Sequence, residues 1–252
     1  MGIINVTPDS FWSGSRVQDR QALVERVRTM ISQGADAIDI GGCSTRPGAV
    51  QASAEEEMER LEWSLDTIRE EFPDIVLSVD TYRPQIAERC VRHWKVNIIN
   101  DVYGGDDHMY KVVADTGAGY VLMWSEDIKE DPVGEMMSFF KERLQRIEKA
   151  GVDVQRKVIL DPGYGFGKTM EQNYIVLANQ ARLRELGLPI LSALSRKSMA
   201  WKLLKITPDE ALPATIAMNT VALINGADWL RVHDVREAVH TVRVVQAISD
   251  YK

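Results

Sequence analysis

The chain alternates short apolar segments with longer amphipathic ones along its whole length. Each apolar segment is as long as a β-strand, and its nearly continuous Ile and Val content is typical of a parallel strand that is covered on both faces. The pattern predicts strands at residues 2–6, 36–40, 75–79, 96–100, 119–123, 157–161, 189–193 and 229–233.

Helix signals lie between the predicted strands. Ser53 and Glu56 have the spacing of a capping box, and they open a predicted helix that runs to Phe72. The segment from Thr207 to Glu210 forms a second box, with a proline at the first helical position. Pro213 follows early in that helix, where we expect it to bend or restart the helix.

Glycines mark the predicted turns from helix to strand, at Gly34, Gly117, Gly151, Gly187 and Gly226. This placement suits the left-handed residue that ends many helices. Strand–helix units repeated through a chain of 252 residues predict an α/β fold, a single (β/α)8 TIM barrel with eight parallel strands, as one domain over residues 1–252. A doubly wound open sheet is the alternative, and the uniformity of the units disfavours it.

Composition narrows the class of function. The formal net charge of −7 and the pI near 5.2 argue against a general nucleic-acid or membrane surface. Cys43 and Cys90 fit neither a zinc spacing nor a disulfide framework, so a reducing compartment is expected. No apolar run is long enough to span a membrane and no secretory signal opens the chain. We therefore expect a soluble cytoplasmic protein that acts on small molecules.

Polar residues follow almost every predicted strand. They are Asn5, Thr45, Arg46, Asp80, Asn100, Asp101, Asp161, Ser195, Arg196, Lys197, Arg231, His233 and Asp234. A single Asp or Asn in such a place commonly caps the next helix, and Asp101 and Asp234 could each do so or belong to a site. In a barrel the carboxyl ends of the strands form the active site, and polar residues at nearly all of them favour that interpretation.

Three of these residues are mainly hydrogen-bond acceptors. Asp80, Asn100 and Asp161 suit the N–H and NH₂ edge of a planar heterocycle, because one carboxylate accepts two parallel hydrogen bonds. A second group is cationic: Arg46 and Arg231, with His233, suit the oxygens of a phosphate. Asn5 offers a neutral oxygen to a hard cation such as Mg²⁺.

The segment DPGYGFGKT, residues 161–169, has glycines that suggest a phosphate loop. The P-loop pattern fails, because position 162, where its first glycine should stand, is proline. The dinucleotide-binding pattern fails as well, since the glycines recur at every second position. We therefore predict that Asp161 and the glycines form one wall of a heterocycle pocket, where Phe166 approaches a flat ring.

The motifs, taken in order, resemble those of the dihydropteroate synthase family. They are NVTPDSF (5–11), STRPGA (44–49), SVDT (78–81), IINDV (98–102), DPGYGFGK (161–168), SRKS (195–198) and RVHDV (231–235). The resemblance spans essentially the whole chain. It implies a TIM barrel that joins p-aminobenzoate to 6-hydroxymethyl-7,8-dihydropterin pyrophosphate, releasing pyrophosphate and forming 7,8-dihydropteroate in folate biosynthesis.

The resemblance also implies roles for individual residues. The residues that match the pterin site are Asp80, Asn100, Met123, Asp161, Phe166 and Lys197. Those that match the p-aminobenzoate site and its loops are Phe11, Pro47, Lys197 and Ser198. Those that match the pyrophosphate site are Asn5, Thr45, Arg46, Arg231 and His233, with Asn5 beside Mg²⁺. Within these sets, the catalytic candidates are Asp80, Lys197, Arg231 and His233, and removal of Arg231 or His233 is expected to spare the pterin pocket.

Three positions depart from the family pattern. Trp124 stands where His is usual, Ala193 where Gly is usual and Cys43 where Glu is usual. Trp124 is expected to add bulk near the rim of the site. These departures leave open a pterin-binding protein without catalysis. A methyltransferase that takes methyltetrahydrofolate also stays open, because it shares the pterin-binding acids and Asn. The resemblance further implies a homodimer.

Overall fold

The computed structural model describes residues 1–6, 19–43 and 51–251. Its strands are β1 (Gly2–Asn5), β2 (Ala37–Gly41), β3 (Val76–Asp80), β4 (Ile98–Asp101), β5 (Gly119–Met123), β6 (Val158–Asp161), β7 (Leu191–Ser192) and β8 (Trp229–Leu230). Each strand overlaps its predicted apolar segment, but β2, β3 and β4 end one residue beyond it and several strands are shorter than expected.

The strands are parallel throughout the described chain. Strands β1 to β6 form one sheet in sequence order, and β7 pairs with β8 in a separate sheet of two strands. The predicted sheet of eight strands is therefore observed as two sheets, with β7 and β8 much shorter than the apolar segments that contain them. Isolated parallel bridges join Gly2 to Val232 and Leu160 to Ile190.

Helices connect the strands, as the alternating pattern predicts. They are α1 (Arg20–Ser32), α2 (Ala54–Glu71), α3 (Pro84–Trp94), α4 (Asp107–Thr116), α5 (Pro132–Lys149), α6 (Val154–Lys157), α7 (Met170–Ala178), α8 (Ser198–Leu204), α9 (Leu212–Ile224) and α10 (Val235–Ser249). Short 3₁₀ turns occupy Gln180–Leu186 and Asp209–Ala211. In the described ranges, no helix is both long and apolar enough to cross a bilayer.

The ends of the helices follow local chemistry. Ser53 and Glu56 form the predicted capping box at the start of α2, and Phe72 ends that helix. The predicted helix from Pro208 is wrong: a 3₁₀ turn forms first, and α9 begins at Leu212. Pro213 causes this restart, because it lacks an N–H and is tolerated only in the first turn of a helix. The glycines predicted at the turns into strands all have positive φ.

Apolar side chains on both faces of the sheet form the core. The side chains of Ile4, Ile38, Ile40 and Val79 pack in one cluster with helices α1 to α3. A smaller cluster gathers residues from several strands, and it consists of Met1, Ala37, Ile98, Val121, Ile159, Leu191 and Ala193. Because all the strands run parallel, their carboxyl ends meet at one end of the molecule, and those predicted site residues that fall in the described ranges lie there.

Candidate active site

A small cavity lies at the carboxyl ends of the strands. The predicted site residues that line it are Asp80, Asn100, Met123, Asp161, Phe166, Lys197 and Arg231. They come from β3, β4, β5, β6 and the segments that follow β6, β7 and β8. The fold thus gathers the acceptors that the sequence assigned to a heterocycle, and it adds Arg231, which the sequence assigned to a phosphate.

Arg231 is held by two buried carboxylates. Its Nε donates to Asp39 Oδ2 at 2.7 Å and its Nη2 donates to Asp80 Oδ2 at 2.7 Å. Burial by itself would lower the pKa of Arg231, but the two carboxylates raise it above its ordinary value, so the guanidinium is always charged. Its first task is therefore to neutralise these acids. The expectation that its removal spares the pocket is wrong, because Arg231 is part of the pocket wall.

Asp39 is the site residue that sequence reasoning missed. It lies in the middle of β2 with no exposed surface, and 192 residues separate it from Arg231. The signal was available, because an acid within an otherwise apolar strand is seldom buried unless it has a partner. The strand pattern alone does not say which partner that is.

Three acceptor oxygens in this region are buried and make no hydrogen bond in the described part of the chain: Asp39 Oδ1, Asp80 Oδ1 and Asn100 Oδ1. Asn100 donates its amide to Asp39 Oδ2 at 3.2 Å, and this contact turns its carbonyl oxygen away from Asp39. Burial and the nearby Asp39 raise the pKa of Asp80, although Arg231 opposes them. Buried acceptors without donors are costly, so the oxygens of Asp80 and Asn100, which line the cavity, suit a ligand that brings its own N–H groups.

Asp161 is fixed by the loop that follows it. Its Oδ1 accepts a hydrogen bond from the backbone N–H of Gly163 at 2.7 Å. Burial raises the pKa of this carboxyl, and the Gly163 N–H and Lys197 oppose that rise. The glycines have a role that we did not predict, because side chains at Gly163 or Gly167, both with positive φ, would collide with the carbonyl groups of Trp124 or Glu126. They let the loop pack against its neighbour.

Lys197 reaches into the cavity over an aromatic ring. Its Nζ lies 4.5 Å from the centroid of Phe166, which is within the range of a cation–π contact. Burial and Arg231 lower the pKa of Lys197 to about 8, while Asp161 and Asp80 act in the opposite direction. The ammonium is therefore only weakly favoured over the neutral amine near neutral pH. Ser198 follows as the half-buried first residue of α8.

His233 is neutral in this environment. Burial and the cations Arg231 and Arg196 lower its pKa to about 3. Its Nδ1 lies 2.9 Å from Ser195 Oγ, and that hydroxyl also accepts the backbone N–H of His233 at 3.2 Å. His233 can thus offer a phosphate a neutral N–H.

Asn5 ends β1 and is half-buried. A Cβ atom placed on Gly41 would lie 3.4 Å from Asn5 Oδ1 and 3.6 Å from Asp80 Cβ, so the amide oxygen sits near the strand ends of the site. The other residues predicted for the loops lie outside the described residues. They are Phe11, Thr45, Arg46 and Pro47.

Asp101 does not cap a helix. Its Oδ1 accepts the Tyr103 N–H at 2.9 Å and its Oδ2 accepts the Tyr120 hydroxyl at 3.0 Å. Burial raises the pKa of Asp101 to about 6, against the effect of these donors. Asp106 caps α4 instead. Asp101 therefore braces the end of β4 next to Asn100, and it does not line the cavity.

The three residues that depart from the family pattern differ in their position relative to the cavity. Trp124 is buried, donates its Nε1–H to the Glu126 carbonyl at 2.8 Å and packs edge-on against Phe139, so the expectation of bulk at the rim is wrong. Ala193 lines the cavity and Cys43 is buried. Of these side chains, only that of Ala193 lies directly on the cavity wall.

Lys168 lies at the end of the glycine-containing loop, just before α7. Thr169 starts α7, through a capping box with Gln172. The Lys168 Nζ is buried and makes no hydrogen bond to any described residue. Burial lowers the pKa of Lys168 to about 7, and Asp161 opposes the shift.

Comparison with known proteins agrees with the chemistry of the cavity. Residues 1–233 match the family model described as pterin binding enzyme. The dihydropteroate synthase of Escherichia coli K12 is 39% identical over 262 aligned positions, which cover 100% of this chain and 92% of that protein. These matches define the class as a pterin-binding enzyme.

Solved structures give the same result. The Yersinia pestis dihydropteroate synthase, in complex with a sulfonamide drug, has a TM-score of 0.93 at 34% identity and covers 100% of this chain and 93% of its own. The Coxiella burnetii dihydropteroate synthase, in complex with pteroic acid, has a TM-score of 0.91 at 30% identity, with coverage of 100% and 93%. The chain belongs to the dihydropteroate synthase family, whose members are transferases of folate biosynthesis.

Proposed function

We propose that this chain joins 6-hydroxymethyl-7,8-dihydropterin pyrophosphate to p-aminobenzoate, giving 7,8-dihydropteroate and pyrophosphate. The observation that carries the proposal is the pair of buried acceptor oxygens that lack donors among the described residues, Oδ1 of Asp80 and Oδ1 of Asn100, on two residues that line the cavity. A pterin edge supplies the N–H groups that these oxygens lack. The complex of the Coxiella burnetii relative with pteroic acid supports a pterin joined to p-aminobenzoate as the ligand class.

In this proposal the pterin lies between the carboxylates of Asp80 and Asp161 and the ring of Phe166. Asp80, Asn100 and Asp161 bind its polar edge, while Met123 and Phe166 contact the flat ring. Lys197, over Phe166, donates to a ring acceptor and disfavours a second positive charge on the nearby arylamine. The p-aminobenzoate then lies toward Ser198 and the loops that carry Phe11 and Pro47.

Pyrophosphate lies beside Arg231 and His233 in this proposal, with Thr45 and Arg46 contributing from the loop outside the described residues. Nε and Nη2 of Arg231 already bind Asp39 and Asp80, so a phosphate oxygen would meet its Nη1. His233 donates as a neutral imidazole. The charge on the leaving group is thus met largely by hydrogen bonds from fixed donors.

Mg²⁺ fits this region through Asn5. Magnesium prefers oxygen ligands, and it commonly takes only one or two from the protein when substrate phosphates supply others. In the described ranges, no group of three or more His, Cys, Asp or Glu side chains could hold a metal ion. Bound there, Mg²⁺ would supply charge neutralisation of the departing pyrophosphate.

The chemical steps require little acid–base catalysis. The C–O bond to pyrophosphate breaks, leaving an electron-poor methylene carbon on the pterin. The arylamine nitrogen then forms the C–N bond and loses a proton to solvent. Asp80 stabilises the cationic ring through its hydrogen bonds, and the protein contributes mainly by positioning the two substrates.

We also propose that the two sheets are parts of one closed (β/α)8 barrel. Backbone hydrogen bonds support this arrangement at both edges. Ile3 N–H donates to the Val232 carbonyl at 2.9 Å, and Leu160 N–H donates to the Pro189 carbonyl at 2.8 Å. The cytoplasm remains the proposed location.

The homodimer remains a proposal as well. Exposed apolar side chains on α9 and α10 offer a surface for it, and they are Val221, Ile224, Val244 and Ile248. Light scattering of the purified protein would test it, and a monomeric mass at micromolar concentration would contradict it.

The proposed reaction is tested by incubating the protein with pterin pyrophosphate, p-aminobenzoate and Mg²⁺. We expect pyrophosphate and 7,8-dihydropteroate in equal amounts. Pterin binding without turnover at saturating Mg²⁺ would instead establish a binding protein. Methyl transfer from methyltetrahydrofolate to a corrinoid protein, without pyrophosphate release, would establish the methyltransferase alternative.

Pterin affinity should have a bell-shaped pH dependence. Because burial raises the pKa values of Asp80 and Asp161, these acids take up protons above the usual carboxyl range, and affinity should fall as pH decreases through that region. Because the pKa of Lys197 is lowered to about 8, its ammonium is lost above that pH, and affinity should fall again. Calorimetric titration of a pterin between pH 5 and about pH 9.5 measures both limbs.

The alkaline limb has a specific control. Lys197→Met should abolish it while leaving the acid limb in place. An alkaline limb that persists in Lys197→Met would show that another group titrates. His233 cannot cause either limb, because its pKa of about 3 lies below the range tested.

A further inference from the structure

Lys197 and His233 are carried by two neighbouring turns. Strands β7 and β8 pair in register, with Leu191 opposite Trp229, and the ladder continues where Arg231 N–H donates to the Ser192 carbonyl at 3.1 Å. One turn then leads from β7 into α8, and the other leads from β8 into α10. Whatever fixes these turns relative to each other also fixes Lys197 relative to His233.

The first turn contains a strained residue. Arg196 has a φ of +54°, in the left-handed region that residues with a Cβ atom rarely adopt. Such a conformation persists only where the surrounding structure holds it, and strained residues of this kind cluster at functional sites. This one stands directly between Ser195 and Lys197.

Hydrogen bonds of Arg196 stabilise this conformation. Its Nε and Nη2 donate to the two carboxylate oxygens of Asp234, at 2.9 and 3.0 Å, in a bidentate pair. Its Nη1 donates to the carbonyl groups of Pro208 and Asp209, at 2.9 and 2.8 Å. Its backbone N–H donates to Thr215 Oγ1 at 3.0 Å. The side chains of Arg196 and Asp234 are only 8% and 12% exposed.

Asp234 pairs with Arg196 and does not cap α10. It occupies the N-cap position of α10, but its side chain makes no capping hydrogen bond there. The usual reason for an aspartate at that position is therefore absent. Its carboxylate instead faces Arg196, next to His233, whose ring contacts Ser195. Ser195 and Arg196 of the first turn thus contact His233 and Asp234, respectively, of the second turn.

We propose that the Arg196–Asp234 ion pair is a positioning device for the reaction, which holds the left-handed turn so that Lys197 enters the cavity while His233 faces the leaving group. This inference rests on the proposed function for the roles of Lys197 and His233. Arg196 and Asp234 themselves do not line the cavity, and they act through their neighbours.

The test uses Asp234→Asn and Arg196→Lys in the full chain. Asn keeps the shape of the side chain but removes its charge and one acceptor, and Lys keeps the charge but cannot form the bidentate pair. Since a misplacement of about 1 Å can cost on the order of a hundredfold in rate, we expect kcat to fall by about that factor in Asp234→Asn. Pterin affinity should fall by a smaller factor than kcat, because the acceptors stay in place and only the contact of Lys197 with the pterin is lost.

A matched control lies at the opposite ends of the same two strands. Asp228 accepts from Arg184 Nη1 at 2.8 Å and from the backbone N–H of Ile190 at 2.9 Å, just before β8. Asp228→Asn should lower thermal stability by weakening the same strand pair, and it should leave kcat within about twofold of wild type because it does not touch the turns. Equal losses of kcat in Asp228→Asn and Asp234→Asn, in proportion to stability, would overturn the proposal.

A second measurement does not depend on turnover. Nuclear magnetic resonance of isotope-labelled lysine, assigned with Lys197→Arg, reports the pKa of Lys197 directly. The charged groups that act on it are Arg231 after β8, Asp80 of β3 and Asp161 of β6. In Asp234→Asn the freed turn should let Lys197 reach solvent, so its pKa should rise from about 8 toward the ordinary 10.5.

The two measurements separate the two hypotheses. If wild-type protein makes no dihydropteroate, the proposed function fails, and the Lys197 titration still tests the positioning role. If wild type is active, an unchanged Lys197 pKa with wild-type kcat in Asp234→Asn overturns the positioning role alone.

Discussion

Arg231→Met should lower the free energy of unfolding by about 3–5 kcal/mol and abolish pterin binding. The physical reason is that Arg231 is the shared partner of Asp39 and Asp80, and its removal leaves two buried carboxylates without a cation. This loss is a large fraction of the stability of an ordinary domain, which is about 5–15 kcal/mol. Urea denaturation at neutral pH measures it, and calorimetry measures the binding.

A second substitution tests the cause of that instability. Asp39→Asn in the Arg231→Met background removes one of the unpaired charges and should restore part of the stability without restoring activity. The deficit of Arg231→Met alone should also shrink as pH falls, because burial raises the pKa of Asp80 and a proton then neutralises that acid.

An exposed ion pair provides the matched control. Arg184→Met breaks the pair with Asp228, in which both side chains are well exposed, and it should cost only about 0–1 kcal/mol. A stability loss in Arg231→Met no greater than in Arg184→Met would contradict the role assigned to Arg231.

Asp161→Asn should weaken pterin binding by about 1.5–3 kcal/mol, which is a factor of roughly 10 to 150. The amide keeps an oxygen for the Gly163 N–H, so the loop should stay in place, but it loses the charge that accepts from the pterin. Stability should be equal or higher, because burial raises the pKa of Asp161 and its ionised form is therefore disfavoured by folding. Calorimetric titration with a pterin and thermal unfolding measure the two effects.

Asp101→Asn is the control for this variant. Asp101 is likewise a buried aspartate at the end of a strand, with a raised pKa, but its oxygens serve Tyr103 and Tyr120 outside the cavity. It should leave pterin affinity unchanged. Equal losses of affinity in Asp101→Asn and Asp161→Asn would indicate a general effect of buried charge at this end of the molecule.

Much of the fold could be predicted because its signals are local. The apolar segments locate the strands, and the capping box at Ser53 locates the start of α2. The lengths of β7 and β8 could not be predicted, since pairing with neighbouring strands decides where the ladder stops. The start of α9 was misplaced because two prolines compete, and only Pro213 falls within the α-helix.

Most of the residues that line the cavity could also be predicted from the sequence. Asp80 and Asp161 each end a strand and Asn100 is the last residue but one of β4, and parallel strands bring such ends together whatever their distance along the chain. Asp39 was missed because it lies inside a strand, where an acid gives no indication of its partner. The charge state of His233 was likewise hidden, since it depends on Arg231 and Arg196 and on burial.

The sequence by itself determined the order of strands and helices, the acceptors of the cavity and the family to which the chain belongs, because periodicity, caps and motifs are written in neighbouring residues. Only the tertiary structure decided which charges meet. Arg231 faces Asp39 across 192 residues, and Arg196 faces Asp234 across 38. Such contacts depend on the position of whole strands, and in a buried site they set both protonation and geometry.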